Sequence, residues 1–170
     1  VGVVGVAFPF LPRHLSLIAA VTIGIPGFAL SFRSNDQPCR PGYLRRVLRF
    51  SLPAGLVAAM ATFAAYWLTR SPLADATLEQ ARTAATITLT LIGLWVLYRL
   101  IEPIRRLEAL LLLALAGGFT VMLVPSPISD FYELELPPFR ITAVMLLVLV
   151  GFIAVLQMAL VVSKHVPRRT

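Results

Sequence analysis

A chain of 170 residues that is 58% hydrophobic and only 14% charged, with a mean hydropathy of +0.85, carries more apolar surface than a soluble domain of that size can bury. The bilayer is therefore its solvent, and at roughly 20 apolar residues per crossing the length allows about five or six crossings and no second, soluble domain. The net charge of +7 does not point to nucleic acid, because the arginines sit in short clusters between apolar runs, as in polytopic membrane proteins.

The opening VGVVGVAFPF is about half a span long and has no basic residues before it, so it reads as the end of a helix that continues upstream and not as a signal peptide. A proline-punctuated turn over residues 8–14 follows, with His14 expected at the membrane interface. Apolar runs then predict spans at about 15–32, 50–68, 81–100, 108–124 and 140–162. The fold class is thus an all-α membrane protein, a bundle of about five transmembrane helices plus the end of a preceding helix, in one transmembrane domain over residues 1–170.

Within the first span, TIGIPG places Gly24, Pro26 and Gly27 at mid-membrane. Proline has no N–H to give and clashes with the carbonyl four residues earlier, which predicts a kink or an unwound turn. Residues 33–49 form a basic loop whose second half, YLRRVLRF, has the spacing of a short interfacial helix before the second span. Tyr66 and Trp67 suit the interface at the far end of that span.

Residues 69–80 read as a loop, after which Thr83, Thr86 and Thr90 share one face of the third span. Hydroxylated residues at that spacing favour helix packing over an ion pathway. A tight basic turn at 99–107 leads to the fourth span, and VPSPISDFYELELPPF, with four prolines and three acids, reads as an irregular loop before the last. Cys39, the single cysteine, forms no internal disulfide and has no partner for a metal motif.

Basic residues are distributed unequally over the connections. Arg33, Arg40, Arg45, Arg46, Arg49, Arg99, Arg105, Arg106, Lys164, Arg168 and Arg169 fall on one side, and only Arg13, Arg70, Arg82 and Arg140 on the other. The positive-inside rule then places the first turn outside and the C-terminus in the cytoplasm of a multi-pass cell-membrane protein.

No nucleophile triad, metal-ligand cluster or glycine-rich phosphate loop is present, and every Asp and Glu lies in a loop or at a helix end. Polar atoms inside the spans come mainly from Thr22, Thr62, Thr86, Thr88, Thr90, Thr120 and Gln157, the last expected to bond a neighbouring helix. Thr22 stands apart because it precedes the Gly–Pro break. Non-helical backbone is tolerated at membrane depth only when buried in protein or lining a cavity, and transporters use such breaks to coordinate cations. A proline kink whose freed groups are satisfied by neighbouring helices accounts for the same residues equally well.

The stretch FPFLPRHLSLIAAVTIGIPGFALSF resembles the end of the fifth helix, the outer turn and the sixth helix of P-type cation-transporting ATPases. The calcium-pump branch carries N-x-x-T-D-G-x-P there. Thr22, Gly24 and Pro26 match it, while Ala19 and Ile23 replace the asparagine and the aspartate. Together with PGYLRRVLRFSLPAGLVAAMATFAAYWL, this resembles the actinobacterial subgroup called type E.

The resemblance implies that the chain supplies helices six to ten of a ten-helix pump, the transport and support portion of an ATP-driven cation pump with calcium as a candidate ion. It implies a cation path lined by Thr22, Gly24 and Pro26, by carbonyls freed at the break and by groups on upstream helices. Catalysis would lie upstream, at a DKTG aspartate in cytoplasmic domains that hold ATP and magnesium. The chain itself would hold no cofactor. Its partners would be the lipid bilayer, the pump's remaining helices, its cytoplasmic domains and the transported cation, with residues 33–49 touching the phosphorylation domain. A secondary carrier and a non-catalytic membrane anchor are the alternatives; a DKTG motif upstream would separate the pump from both.

The charge asymmetry makes a direct prediction. Single cysteines introduced in residues 33–49 and in 99–106 will react only with reagents that reach the cytoplasm, and labelling of either link from outside would refute the topology.

Overall fold

The computed structural model describes residues 7–32, 43–71, 76–101 and 106–165. The opening half-helix, most of the first basic loop, part of the basic turn and the extreme C-terminus lie outside the described residues. Every described regular element is helical.

The first rod is composite. Helix α1 (Pro12–Ala19) starts after an extended Leu11 with Pro12 in its first turn, where the missing N–H costs nothing. A π-helical turn, Ala20–Gly24, follows, and α2 (Ile25–Ser31) completes the rod. Then come α3 (Tyr43–Thr69), α4 (Leu78–Ile101), α5 (Arg106–Met122), a short α6 (Pro127–Tyr132) and α7 (Phe139–His165).

Among the described residues, three stretches are long and apolar enough to cross a membrane: Pro12–Ser31, Val47–Thr69 and Leu78–Ile101. Helix α5, with 17 residues, spans about 25 Å, and α7 contributes the apolar stretch Ile141–Ala154. The chain is an all-α, multi-pass membrane protein.

Helix α4 is the axis of the bundle. Of its membrane-length window 56% is buried, against 28% for the first rod and 22% for α3. Helices α3 and α7 both pack on it, and Ala61, Ile92 and Leu149 meet where the three converge. The contact is close because the facing residues are small: Ala61, Ala65, Ala81, Ala84 and Ala85 are all essentially inaccessible.

The threonines of α4 serve the same packing. Thr86 donates to the Arg82 carbonyl (2.9 Å), Thr88 to Ala84 (2.8 Å) and Thr90 to Thr86 (2.8 Å). Each of these buried hydroxyls is thus satisfied within its own helix. On α3 the opposite face presents Leu52, Leu56, Met60, Phe63 and Trp67, exposed at helical spacing as a lipid-facing stripe.

The basic stretch YLRRVLRF leads into the second span as expected, and it does so without interruption, its backbone running into α3 as one helix. Other local expectations are revised. Tyr66 is not an interfacial aromatic but is fully buried, its hydroxyl donating to the Ala7 carbonyl at 2.9 Å. Trp67 is exposed and stacks on Phe63.

The acidic loop before α7 contains α6, because Ser126 caps it through the Ser129 N–H, Pro127 opens it, and Glu133 ends it in the left-handed region (φ 50°). Gln157 is exposed on α7.

Candidate functional site

The three residues singled out at the break do not gather on one side of the rod. Pro26 is buried and Thr22 half-buried, one helical turn apart and on the side that meets α4, whereas Gly24 is exposed. Ile23, Ile25 and Phe28 accompany Gly24 on the open side. The rod is not unwound at this point. Gly24 and Ile25 keep right-handed helical dihedrals, and the Ile25 N–H reaches the Ala20 carbonyl in the i to i−5 pattern.

This π-turn is a response to Pro26. A proline at position 26 offers no donor to the carbonyl of Thr22 in α register or to that of Val21 in π register. Widening the helix by one residue lets the chain absorb the proline without a sharp break. The result is a stretch of polar backbone at mid-span beside Thr22.

The Thr22 hydroxyl donates to the Ile18 carbonyl at 2.7 Å. Its one proton is committed there, so the oxygen can act toward anything else only as an acceptor. Its γ-methyl faces α4, where a Cβ on Gly93 would stand 2.6 Å from Thr22 Cγ2 and 3.0 Å from Thr22 Cβ. The interhelical approach at this level therefore requires glycine.

The near end of the rod is fixed by the segment that contains α6. His14 is wholly buried, not interfacial. Its Nδ1 accepts from the Leu11 N–H at 3.4 Å, and its Nε2 lies 2.7 Å from the Tyr132 carbonyl. That pairing is satisfied by a neutral ring with the proton on Nε2.

Arg13 adds an ion pair with Glu133 and a hydrogen bond to the Phe131 carbonyl. The Glu135 N–H donates to Thr83 Oγ1 at 3.0 Å, and Arg82 reaches the Phe8 carbonyl at 3.3 Å. The start of α1, the start of α4 and the α6 segment thus form one clamp. Sequence reasoning missed it because the distant partner of His14 is a backbone carbonyl over a hundred residues away.

Among the described residues no three His, Cys, Asp or Glu side chains are grouped to hold a metal ion. What the break offers is oxygen: one threonine hydroxyl and main-chain carbonyls. Such neutral oxygens suit a hard cation.

Three relatives show what the chain is similar to. It is 34% identical over 141 residues to the calcium-transporting ATPase CtpE of Mycolicibacterium smegmatis, covering 82% of this chain and 18% of that protein. It is 41% identical over 106 residues to the calcium-transporting ATPase CtpE of Mycobacterium tuberculosis, covering 56% and 12%. To the probable cation-transporting ATPase exp7 of Streptococcus pneumoniae it is 28% identical over 129 residues, covering 75% and 16%. The chain spans less than a fifth of the length of these curated relatives. No protein-family model and no solved structure matches it.

The clamp yields a stability prediction. His14→Leu leaves the Tyr132 carbonyl and the Leu11 N–H without their partner, and a buried unpaired group costs about 1–3 kcal/mol. Glu133→Gln weakens only a half-exposed ion pair, worth about 0–1 kcal/mol. Thermal unfolding of the protein in detergent will show a clearly larger loss for His14→Leu; equal losses would contradict the clamp as drawn.

Proposed function

We propose that this chain, which resembles the C-terminal transmembrane region of P-type cation-transporting ATPases, is the transport and support portion of an ATP-driven cation pump. Helices six to ten of such a pump correspond to the first rod, α3, α4, α5 and α7. The C-terminus faces the cytoplasm, and the basic residues 33–49 meet the pump's phosphorylation domain. ATP and magnesium belong to cytoplasmic domains outside this chain, where an aspartate is phosphorylated. Calcium is the candidate cation, because the two mycobacterial relatives are calcium-transporting ATPases by name.

The observation that carries this reading is the π-turn before Pro26 in a membrane-length rod. Polar backbone in hydrocarbon costs several kcal/mol per unsatisfied group, so it must be met by protein, water or an ion. Thr22 supports the last of these, because its hydroxyl proton is held by Ile18 and its oxygen remains an acceptor. Gly24, with no side chain, leaves backbone accessible on the open side, where helices upstream of this chain complete the path. Pro26 keeps the turn from reverting to regular α-helix. Ile23, exposed on the same open side at 71%, supplies no ligand.

In the full-length protein, Thr22→Val keeps the side-chain shape and deletes the oxygen. It will raise the cation concentration for half-maximal phosphorylation by ATP about tenfold, the equivalent of about 1.4 kcal/mol, while expression and unfolding temperature hold. An unchanged cation dependence would make Thr22 a packing residue.

A further inference from the structure

We propose that Gly93 is a positioning residue for the π-turn: the bare α4 backbone there fixes how near Thr22 stands to α4, and so where its oxygen lies in the cation path. The proposal deepens the cation-path reading of Thr22 and rests on it.

Gly93 differs from the other described glycines. A Cβ added at Gly27, Gly55, Gly117, Gly118 or Gly151 would meet nothing within 4 Å, and at Gly24 only an ordinary contact of 3.6 Å. At Gly93 the added carbon would fall 2.6 Å from Thr22 Cγ2, 3.0 Å from Thr22 Cβ and 3.6 Å from Thr22 Oγ1. All three contacts are to one side chain on another helix.

That side chain has no way to yield. Threonine is β-branched and stiff about its first torsion. Turning it to move the methyl would also swing Oγ1 away from the Ile18 carbonyl to which it donates at 2.7 Å. Its Cβ is fixed to the backbone, so no rotation relieves that contact. A residue larger than glycine at position 93 must therefore push the π-turn bodily away from α4.

The surroundings make that displacement specific. Thr90 and Leu94 flank Gly93 and are buried, and Val21, next to Thr22, belongs to the same core cluster as Leu94 and Leu97. Pro26 is buried one turn further along the rod. The turn is seated on both sides of the contact, so Gly93 acts on its distance from α4 and not on whether the rod forms. Since alanine is the better helix former, a loss on substitution would come from the contact and not from α4 itself.

The test is a double-mutant cycle on the full-length protein with Gly93→Ala, Thr22→Ser and the pair, because serine keeps the hydroxyl and lacks the methyl of the 2.6 Å collision, leaving only the 3.0 Å contact with Cβ, which a shift of a few tenths of an ångström relieves. Two quantities are read: the calcium concentration for half-maximal phosphorylation by ATP, and the unfolding temperature in detergent. Gly93→Ala is expected to raise that concentration at least fivefold when Thr22 is intact and at most twofold when it is added to Thr22→Ser. If Gly93→Ala alone does not accumulate, recovery of folded protein in the pair supports the contact, and no recovery overturns it. An equal effect of Gly93→Ala with and without Thr22→Ser also overturns the proposal. Coupled unfolding temperatures with an unchanged calcium dependence in every variant would uphold the contact and overturn the cation path.

Discussion

Helices in a bilayer gain nothing from hiding apolar side chains from one another, because lipid is as apolar as leucine; what binds them is close packing. The bundle depends on one seam that satisfies this constraint, where the alanines and threonines of α4 let its neighbours approach closely. Ala81, Ala84 and Ala85 are wholly covered, as are Thr83, Thr86, Thr88 and Thr90. A threonine would be costly there if its hydroxyl were orphaned. For Thr86, Thr88 and Thr90, bonding back to the preceding turn removes that cost, so each acts in packing as a small, dense residue. The large side chains are placed on the outer faces, where α3 shows its stripe from Leu52 to Trp67.

The first rod joins the same seam under a second constraint. Its backbone must accommodate Pro26 at mid-span without stranding carbonyls in hydrocarbon. The π-turn widens the helix at that point, and Gly93 supplies the space on α4 into which Thr22 fits. At the rod's other end, His14 and Arg13 tie its first turn to the segment at 131–133. The rod is held at its start and at its middle, while Ile23, Gly24 and Phe28 stay uncovered.

Hydropathy and the distribution of Gly and Pro made the helices legible, since those properties are local and the bilayer imposes a fixed length. The disturbance at TIGIPG was legible for the same reason: a proline's missing donor acts on the carbonyls next to it in sequence. Its form was not, because a kink, an unwound turn and a π-turn all accommodate the proline, and the contact with Gly93 is made by another helix. His14 and Tyr66 were misread as interfacial because an amphipathic residue near a span end usually is. Both bond to main-chain carbonyls of distant segments, which no side-chain pattern announces. Helix α6 was in principle readable from Ser126, Pro127 and Ser129, but the four prolines of the segment outweighed that capping signal.

The central claim, that this chain carries ions as part of an ATP-driven pump, is tested most directly by transport. Membrane vesicles containing the full-length protein should move labelled calcium across the membrane when ATP is supplied at the cytoplasmic face, and continue to do so after an ionophore has collapsed the proton and sodium gradients. Movement that ignores ATP and vanishes with those gradients would make the protein a secondary carrier and contradict the account.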